Sequence, residues 1–225
     1  MVGRFPMPMN HSVSPPLRVF IACLLTALLS APLSFAAPDK APTLAVEGLK
    51  ALQSGELDAA RARFKTLLEN DPKSLVALMN LGSMEYRAKN FAEAEKLLRQ
   101  ATRVDPDLAA AWLTLGVATC EGGRLDAALA ALAQAVLLEP SNAKAHSYLG
   151  VTLGRKGWLD GAEAELQRAL ELDGNYADAH FNLAVIYLQR SSPAVELARR
   201  HYQRALELGA ARDSLVEKQL GESKE

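Results

Sequence analysis

The sequence predicts an all-α protein built from repeated helical hairpins. Glycine recurs with a period of 34 residues, at Gly82, Gly116 and Gly150. Proline recurs with the same period, at Pro72, Pro106 and Pro140. Between these landmarks, apolar residues follow helical spacing on both sides of a short turn. Two independent series with one period indicate an internal repeat, and its unit is a helix, a tight turn and a second helix.

The first 36 residues lie outside this repeat. They contain Arg4 and Arg18 but no acidic residue, then an apolar run over 19–29, then Ser34-Phe35-Ala36. This order is typical of a secretory signal peptide, cleaved here after Ala36. The apolar run of 11 residues is shorter than the ~20 needed to cross a bilayer. We therefore expect a periplasmic or secreted protein, with an uncleaved membrane anchor as the alternative.

Charge and cysteine content narrow the class of protein further. The chain has 25 basic and 26 acidic side chains, and removal of the signal leaves 23 against 26, a net charge of −3. A near-neutral chain argues against nucleic acid as a partner. One cysteine, Cys120, remains after cleavage, so no internal disulfide forms and stability must come from helix packing.

The remaining chain divides into a linker, five hairpins and a cap. Residues 37–40 form the linker, and the predicted hairpins occupy 41–74, 75–108, 109–142, 143–176 and 177–212. Glycines Gly55, Gly123 and Gly157 mark the turns within three hairpins, where a left-handed residue ends the first helix. In the second hairpin this position holds Lys89, and we expect the following Asn90 to cap the next helix. The last hairpin has two extra residues around 191–193, and 213–225 is predicted to be a capping helix and tail.

The third hairpin resembles the tetratricopeptide repeat. The matching residues are Trp112, Leu115, Gly116, Ala128, Leu132, Ala135 and Pro140. Gly116 and Ala128 are expected where the two helices cross, since small residues let helices approach closely. The neighbouring copies keep most of these residues, the outer copies are eroded, and the resemblance spans about 41–210. It implies a right-handed superhelical solenoid of about five hairpins with a C-terminal capping helix, acting as a protein-interaction module.

In this family, stacked first helices line a concave groove that holds a peptide. The resemblance maps that groove to Met79, Asn80, Ser83, Tyr86, Arg87, Leu113, Thr114, Val117, Lys144, Tyr148, Val151, Arg155, Phe181, Asn182 and Val185. We expect the apolar members to form an exposed row, because exposed apolar rows usually mark binding surfaces. The alternative is that they pack against one another or against the terminal helix.

Catalytic signatures are absent from the sequence. It contains no HExxH, GxSxG, Walker loop or CxxC, so we expect neither an enzyme nor a bound cofactor or metal. His146 and His180 share the register of Trp112 and are interpreted as packing residues rather than metal ligands.

The predicted function is a protein–protein interaction scaffold or assembly factor in the cell envelope. Its groove would bind an apolar or amphipathic segment of another protein. No nucleic acid and no small-molecule substrate is expected. One alternative is a structural spacer. A second is a self-associating module, a possible homo-oligomer without a peptide ligand. The remaining alternative is a metal-binding or enzymatic protein.

Overall fold

The computed structural model describes residues 40–221, and every regular element in that range is an α-helix. This confirms the predicted all-α class. The predicted signal peptide, residues 1–36, lies outside the described residues. Within them, no helix has the length and apolar character needed to cross a membrane. The helices are α1 Lys40–Gln53, α2 Leu57–Asn70, α3 Leu75–Arg87, α4 Phe91–Val104, α5 Ala109–Glu121, α6 Leu125–Leu138, α7 Ala143–Arg155, α8 Leu159–Leu172, α9 Ala177–Gln189, α10 Val195–Glu207 and α11 Ser214–Gln219.

The described residues form two compact units, 40–105 and 106–221. The first unit contains the hairpins α1–α2 and α3–α4, with α2 packed against α3. The second unit contains the hairpins α5–α6, α7–α8 and α9–α10, with α6 packed against α7 and α8 against α9. In each unit, hairpins therefore stack in chain order, as a helical repeat requires to bury its apolar faces.

Each of the first four hairpins closes where a glycine on the first helix faces a large side chain on the second. A Cβ atom on Gly116 would lie 2.5 Å from Cγ of Leu132. A Cβ atom on Gly82 would lie 2.8 Å from Cγ of Leu98. Both leucines are fully buried. Only glycine therefore allows these helices to approach at this spacing.

The turns within the first four hairpins use left-handed residues, and the glycines among them are the expected ones. Gly123 and Gly157 have φ angles of 78° and 80°, and Lys89 has a φ of 62° although it is not a glycine. Asn90 occupies the N-cap position of α4, but its side chain makes no capping bond. Its Nδ2 instead donates to Glu85 Oε2 at 2.7 Å, so the expected side-chain cap at Asn90 is wrong.

The last hairpin and the cap agree with the sequence in most respects. Five residues, 190–194, connect α9 to α10, whereas three connect α7 to α8. The side chain of Asp213 accepts hydrogen bonds from the backbone of Leu215 and Val216 at the start of α11. Val216 and Leu220 are buried in the apolar core of the last hairpins. The predicted capping helix is therefore confirmed.

Candidate functional site

The predicted apolar row is mostly buried in the structure. Its second-unit members have exposed fractions of 2 to 8%, namely Leu113, Val117, Val151, Phe181 and Val185. The ring of Phe181 lies 6.1 Å from that of Tyr202 on α10. The expectation that these residues form an exposed row is therefore wrong, because they lie within the packed layer of helices. Met79, in the first unit, is partly exposed.

The polar candidates of the first unit mostly bond within their own helix. Asn80 Nδ2 donates to Val76 O at 2.7 Å. Ser83 Oγ donates to Met79 O at 2.8 Å. The ring of Tyr86 lies 6.2 Å from that of Phe91, and Arg87 is exposed. Arg87 is the one charged residue among the predicted contacts of this unit, and a ligand can reach it from solvent.

Arg155 was expected to border the groove, but the structure gives it a contact inside the second unit. Its Nη1 donates to Cys120 O at 2.6 Å and lies 3.2 Å from Cys120 Sγ. Cys120 belongs to the last turn of α5, where carbonyl groups lack partners within the helix. Arg155 therefore ties α7 to the end of α5.

Cys120 itself is fully buried. Its sulfur lies 3.3 Å from Thr152 Oγ1, which donates to Tyr148 O at 2.7 Å. Burial raises the pKa of the Cys120 thiol, and the contacts with Thr152 and Arg155 oppose that rise. A thiol with a raised pKa is a poor nucleophile at neutral pH. The position therefore contributes to packing.

Two of the remaining polar candidates of the second unit turn away from an open surface: Thr114 Oγ1 donates to Ala110 O at 2.7 Å, and Asn182 is buried. Tyr148 lies close to Lys144. The Nζ atom of Lys144 lies 5.8 Å from the centroid of the Tyr148 ring, within the range of a cation–π interaction. Asp178 lies 34 residues later, at the same register of α9, and interacts electrostatically with Lys144. Among the described residues, no ion pair within 4.0 Å joins the two. We call Lys144, Tyr148 and Asp178 the α7–α9 polar cluster.

Both charges of the α7–α9 polar cluster are held in a partly dehydrated environment. Both side chains are exposed, and the protein around them shifts each pKa towards the neutral form. Desolvation lowers the pKa of Lys144, and the Asp178 carboxylate opposes this. Desolvation raises the pKa of Asp178, and Lys144 opposes this. Because Lys144 and Asp178 form no direct ion pair with each other, both charges are available for an incoming polar group.

Tyr176 borders the same cluster and was missed by the sequence reasoning. It occupies the N-cap position of α9, and its hydroxyl lies near the Ser147 side chain. Burial, followed by the Asp178 charge, raises the pKa of this tyrosine. Tyr176 precedes the helix whose positions define the groove, so the repeat register alone did not include it.

The position shared by Trp112, His146 and His180 in successive repeats makes a hydrogen bond that the sequence did not predict. Trp112 Nε1 donates to Pro106 O at 2.7 Å. The rings of His146 and His180 place Nε2 at 3.1 and 3.2 Å from the carbonyl six residues earlier, Pro140 O and Gly174 O. A carbonyl only accepts, so Nε2 donates in both rings. This register anchors the connection before α5, α7 and α9.

The other ring nitrogens of the two histidines have different partners. His146 Nδ1 lies 2.7 Å from Glu165 Oε2, and His180 Nδ1 lies 2.9 Å from His201 Nδ1. Burial, then the neighbouring His180, lowers the pKa of His201. Over residues 40–221 no group of three or more His, Cys, Asp or Glu side chains is placed to hold a metal ion.

Three family models described as tetratricopeptide repeats match this chain, at residues 46–108, 85–150 and 155–190. Among curated proteins, cellulose synthase operon protein C of Komagataeibacter xylinus is 40% identical over 75 residues, covering 33% of this chain and 6% of that protein. The CTR9 homolog of Arabidopsis thaliana is 34% identical over 74 residues, covering 33% and 7%. The chain thus spans under a tenth of the length of these relatives.

Solved structures share the fold at low sequence identity. A MamA fragment from Desulfovibrio magneticus RS-1 superposes with a TM-score of 0.69 at 20% identity, covering 77% of this chain and 97% of that one. The protein pilF of Pseudomonas aeruginosa gives 0.68 at 20% identity, covering 81% and 85%. YrrB, described as having an unusual peptide-binding site, gives 0.64 at 23% identity, covering 78% and 89%.

Proposed function

Because this chain belongs to the tetratricopeptide repeat family, we propose that it is a scaffold or assembly factor that binds a peptide segment of another protein. The first helices of the second unit, α5, α7 and α9, carry this proposal, with the α7–α9 polar cluster as its centre. The other predicted groove residues, including Met79 and Arg87 of the first unit, remain candidate contacts. The proposed location is the cell envelope, after cleavage of the signal peptide at Ala36.

The observation that carries the proposal is the pair of opposite charges at one register of neighbouring first helices. Lys144 presents an ammonium group suited to a carboxylate or a backbone carbonyl of the ligand. Asp178 presents a carboxylate suited to a backbone N–H or a basic side chain. Their fixed order along the stack would set the direction of a bound segment, as complementary charges do at interfaces.

The burial of the apolar row favours an amphipathic ligand over a purely apolar one. Leu113, Val117 and Val151 expose little surface, so they offer a narrow apolar floor rather than a wide patch. Aromatic residues carry much of the binding energy at protein interfaces. Tyr148, whose ring already contacts Lys144, is therefore the leading candidate for such a contact. The peptide-binding site named for YrrB supports the same use of this fold by analogy only.

The proposed location has a direct test. Export predicts that the protein isolated from its native cell begins at Ala37 and is recovered from the periplasm or the medium. N-terminal sequencing and fractionation check both points. A soluble cytoplasmic protein that retains Met1 would contradict the export proposal and leave the binding proposal standing.

The binding proposal is tested by site-specific crosslinking. A photo-reactive amino acid replaces Tyr148 in one variant and Gln167 in the control. Gln167 is exposed on α8, a second helix outside the proposed site. The Tyr148 variant should capture a defined protein that the Gln167 variant does not. Equal labelling from both positions would count against a site at Tyr148.

The captured segment is then synthesised, and its affinity for charge variants is measured by calorimetry. Lys144→Glu and Asp178→Lys should each weaken binding by about ten-fold or more, a typical cost for a charged contact at an interface. Affinities unchanged by both substitutions would refute the role of the α7–α9 polar cluster. Melting temperatures of the same variants separate lost binding from lost folding.

A further inference from the structure

The outer face of α6 differs from those of the other second helices. Its exposed residues are spaced four, three and four positions apart and follow one straight line along the helix: Asp126, Ala130, Ala133 and Leu137. Leu137 is 70% exposed, the largest value among the exposed large apolar side chains of the described residues. We call these four residues the α6 stripe. Leu129 and Val136 lie beside it and are half-buried.

Charged residues are absent from 127–138 of this helix. The other second helices carry ion pairs on their surfaces, such as Glu93–Lys96 on α4, Arg168–Glu171 on α8 and Arg204–Glu207 on α10. A helix face that meets water usually carries polar residues. An exposed apolar face of this kind is typical of a contact surface.

We propose that the α6 stripe is a contact surface between two copies of this chain, with α6 packed antiparallel to α6 of the second copy about a two-fold axis. A two-fold interface uses the same patch on both copies, so the patch must complement itself. The stripe meets this condition. Its members are placed symmetrically about the middle of the helix, and an antiparallel pair brings Ala130 opposite Ala133 of the second copy.

The small residues at the centre set how closely the helices approach. Alanine at both central positions allows an interaxial distance near the lower end of the usual 8–10 Å. At either end, Leu137 of one copy would cover the first turn of α6 in the other. There the carboxylate of Asp126 is already paired with Lys156, which leaves the aliphatic part of that lysine for the leucine to contact.

The charges at the ends of α6 select the antiparallel arrangement. Arg124 precedes the helix, Glu139 follows it, and both are exposed. In an antiparallel pair each Arg124 approaches Glu139 of the second copy, and this attraction adds to the contacts that both side chains already make within their own chain. A parallel pair would place arginine near arginine, glutamate near glutamate and Asp126 near Asp126. Like charges in contact are unfavourable, so orientation follows from charge complementarity.

The expected association is weak. A helix of 14 residues is about 21 Å long, and one face of it contributes less than the ~1,000 Å² expected of a stable interface. A dissociation constant on the order of tens of micromolar is therefore expected. The α6 stripe lies on a second helix, whereas the proposed peptide site lies on first helices. Either proposal can fail without the other.

Sedimentation velocity of the purified protein tests the contact. Between about 1 and 500 µM, a range that brackets the expected constant, the mass should rise from monomer towards dimer. Ala133→Glu should weaken association at least ten-fold, because it places a charge in the centre of the contact. Gln167→Glu, at an exposed position of α8, should leave association unchanged. A monomer at every concentration, or equal association of both variants, would overturn the proposal.

A charge exchange tests the orientation independently. Arg124→Glu and Glu139→Arg should each weaken the dimer several-fold, and the double variant should recover most of the loss. Melting temperatures confirm that each variant is folded. Single variants that leave the dimer unchanged, or a double variant as weak as the single ones, would contradict the antiparallel arrangement.

Discussion

Replacing Gly116 by alanine is the sharpest test of how the hairpins are packed. The new Cβ would lie 2.5 Å from Cγ and 2.7 Å from Cδ2 of Leu132, and 3.3 Å from its backbone nitrogen. Favourable contacts between carbon atoms occur at about 3.5–4.0 Å. Leu132 is fully buried, so its side chain cannot move into solvent. The two helices must therefore separate or Leu132 must leave its preferred position.

The magnitude follows from two opposing contributions. Overpacking of this kind costs about 1–3 kcal/mol. Alanine is better than glycine in a helix by about 1 kcal/mol, which offsets part of that cost. Gly161 provides a matched control, because it is also helical and a Cβ there would meet Leu153 at 3.5 and 3.9 Å, an ordinary contact. The difference between the two variants, about 1–3 kcal/mol, isolates the packing cost.

The assay is urea denaturation followed by circular dichroism, with the midpoint and slope recorded for each variant. Gly161→Ala should raise the free energy of unfolding, and Gly116→Ala should give the lower value of the two. For a protein of this size, each kcal/mol corresponds to roughly 2–4 °C in melting temperature. Gly116→Ala combined with Leu132→Ala should cost less than the sum of the single changes, because the smaller side chain accepts the new methyl group.

The result that would refute this reasoning is a Gly116→Ala variant stabilised as much as Gly161→Ala. It would mean that Leu132 does not lie over Gly116. A strictly additive double variant would point to the same conclusion.

Three further results are expected. Lys89→Gly should raise stability by up to about 1 kcal/mol, since Lys89 holds a left-handed conformation that glycine adopts without strain; Gly123→Ala, at the matching turn, should lower stability, and denaturation midpoints check both. Stability should fall as the pH drops below about 6.5, the ordinary pKa of histidine, because the lowered pKa of His201 in the fold makes the unfolded chain bind more protons there. His201→Asn should flatten this part of the profile measured by denaturation at each pH. Phe181→Ala should cost about 3–5 kcal/mol of stability, because this buried ring packs near Tyr202; a melting temperature close to that of the parent protein would argue that Phe181 lies outside the core.

The sequence by itself determined the repeat and the positions of its turns, helix ends and helix crossings. Left-handed turns, helix ends at proline and close helix crossings depend on local chemistry, so the residue type reveals them. The period of 34 residues fixed their register, and the structure places Gly116 at a crossing and Gly123 in a turn. The two extra residues near Pro193 were visible for the same reason. They lengthen the connection between α9 and α10, while α9 keeps the 13 residues of α5 and α7.

Only the tertiary structure decided which side chains remain accessible. A helical position has no fixed exposure, since exposure depends on how closely neighbouring hairpins stack. Val151 and Phe181 were therefore buried where the register suggested a surface. Arg155 contacts the end of α5, where it donates to Cys120 O and forms an ion pair with Glu121 at 3.7 Å. The same stacking left Leu137 exposed to solvent and brought Lys144 and Asp178, one repeat apart in the sequence, close enough to interact electrostatically.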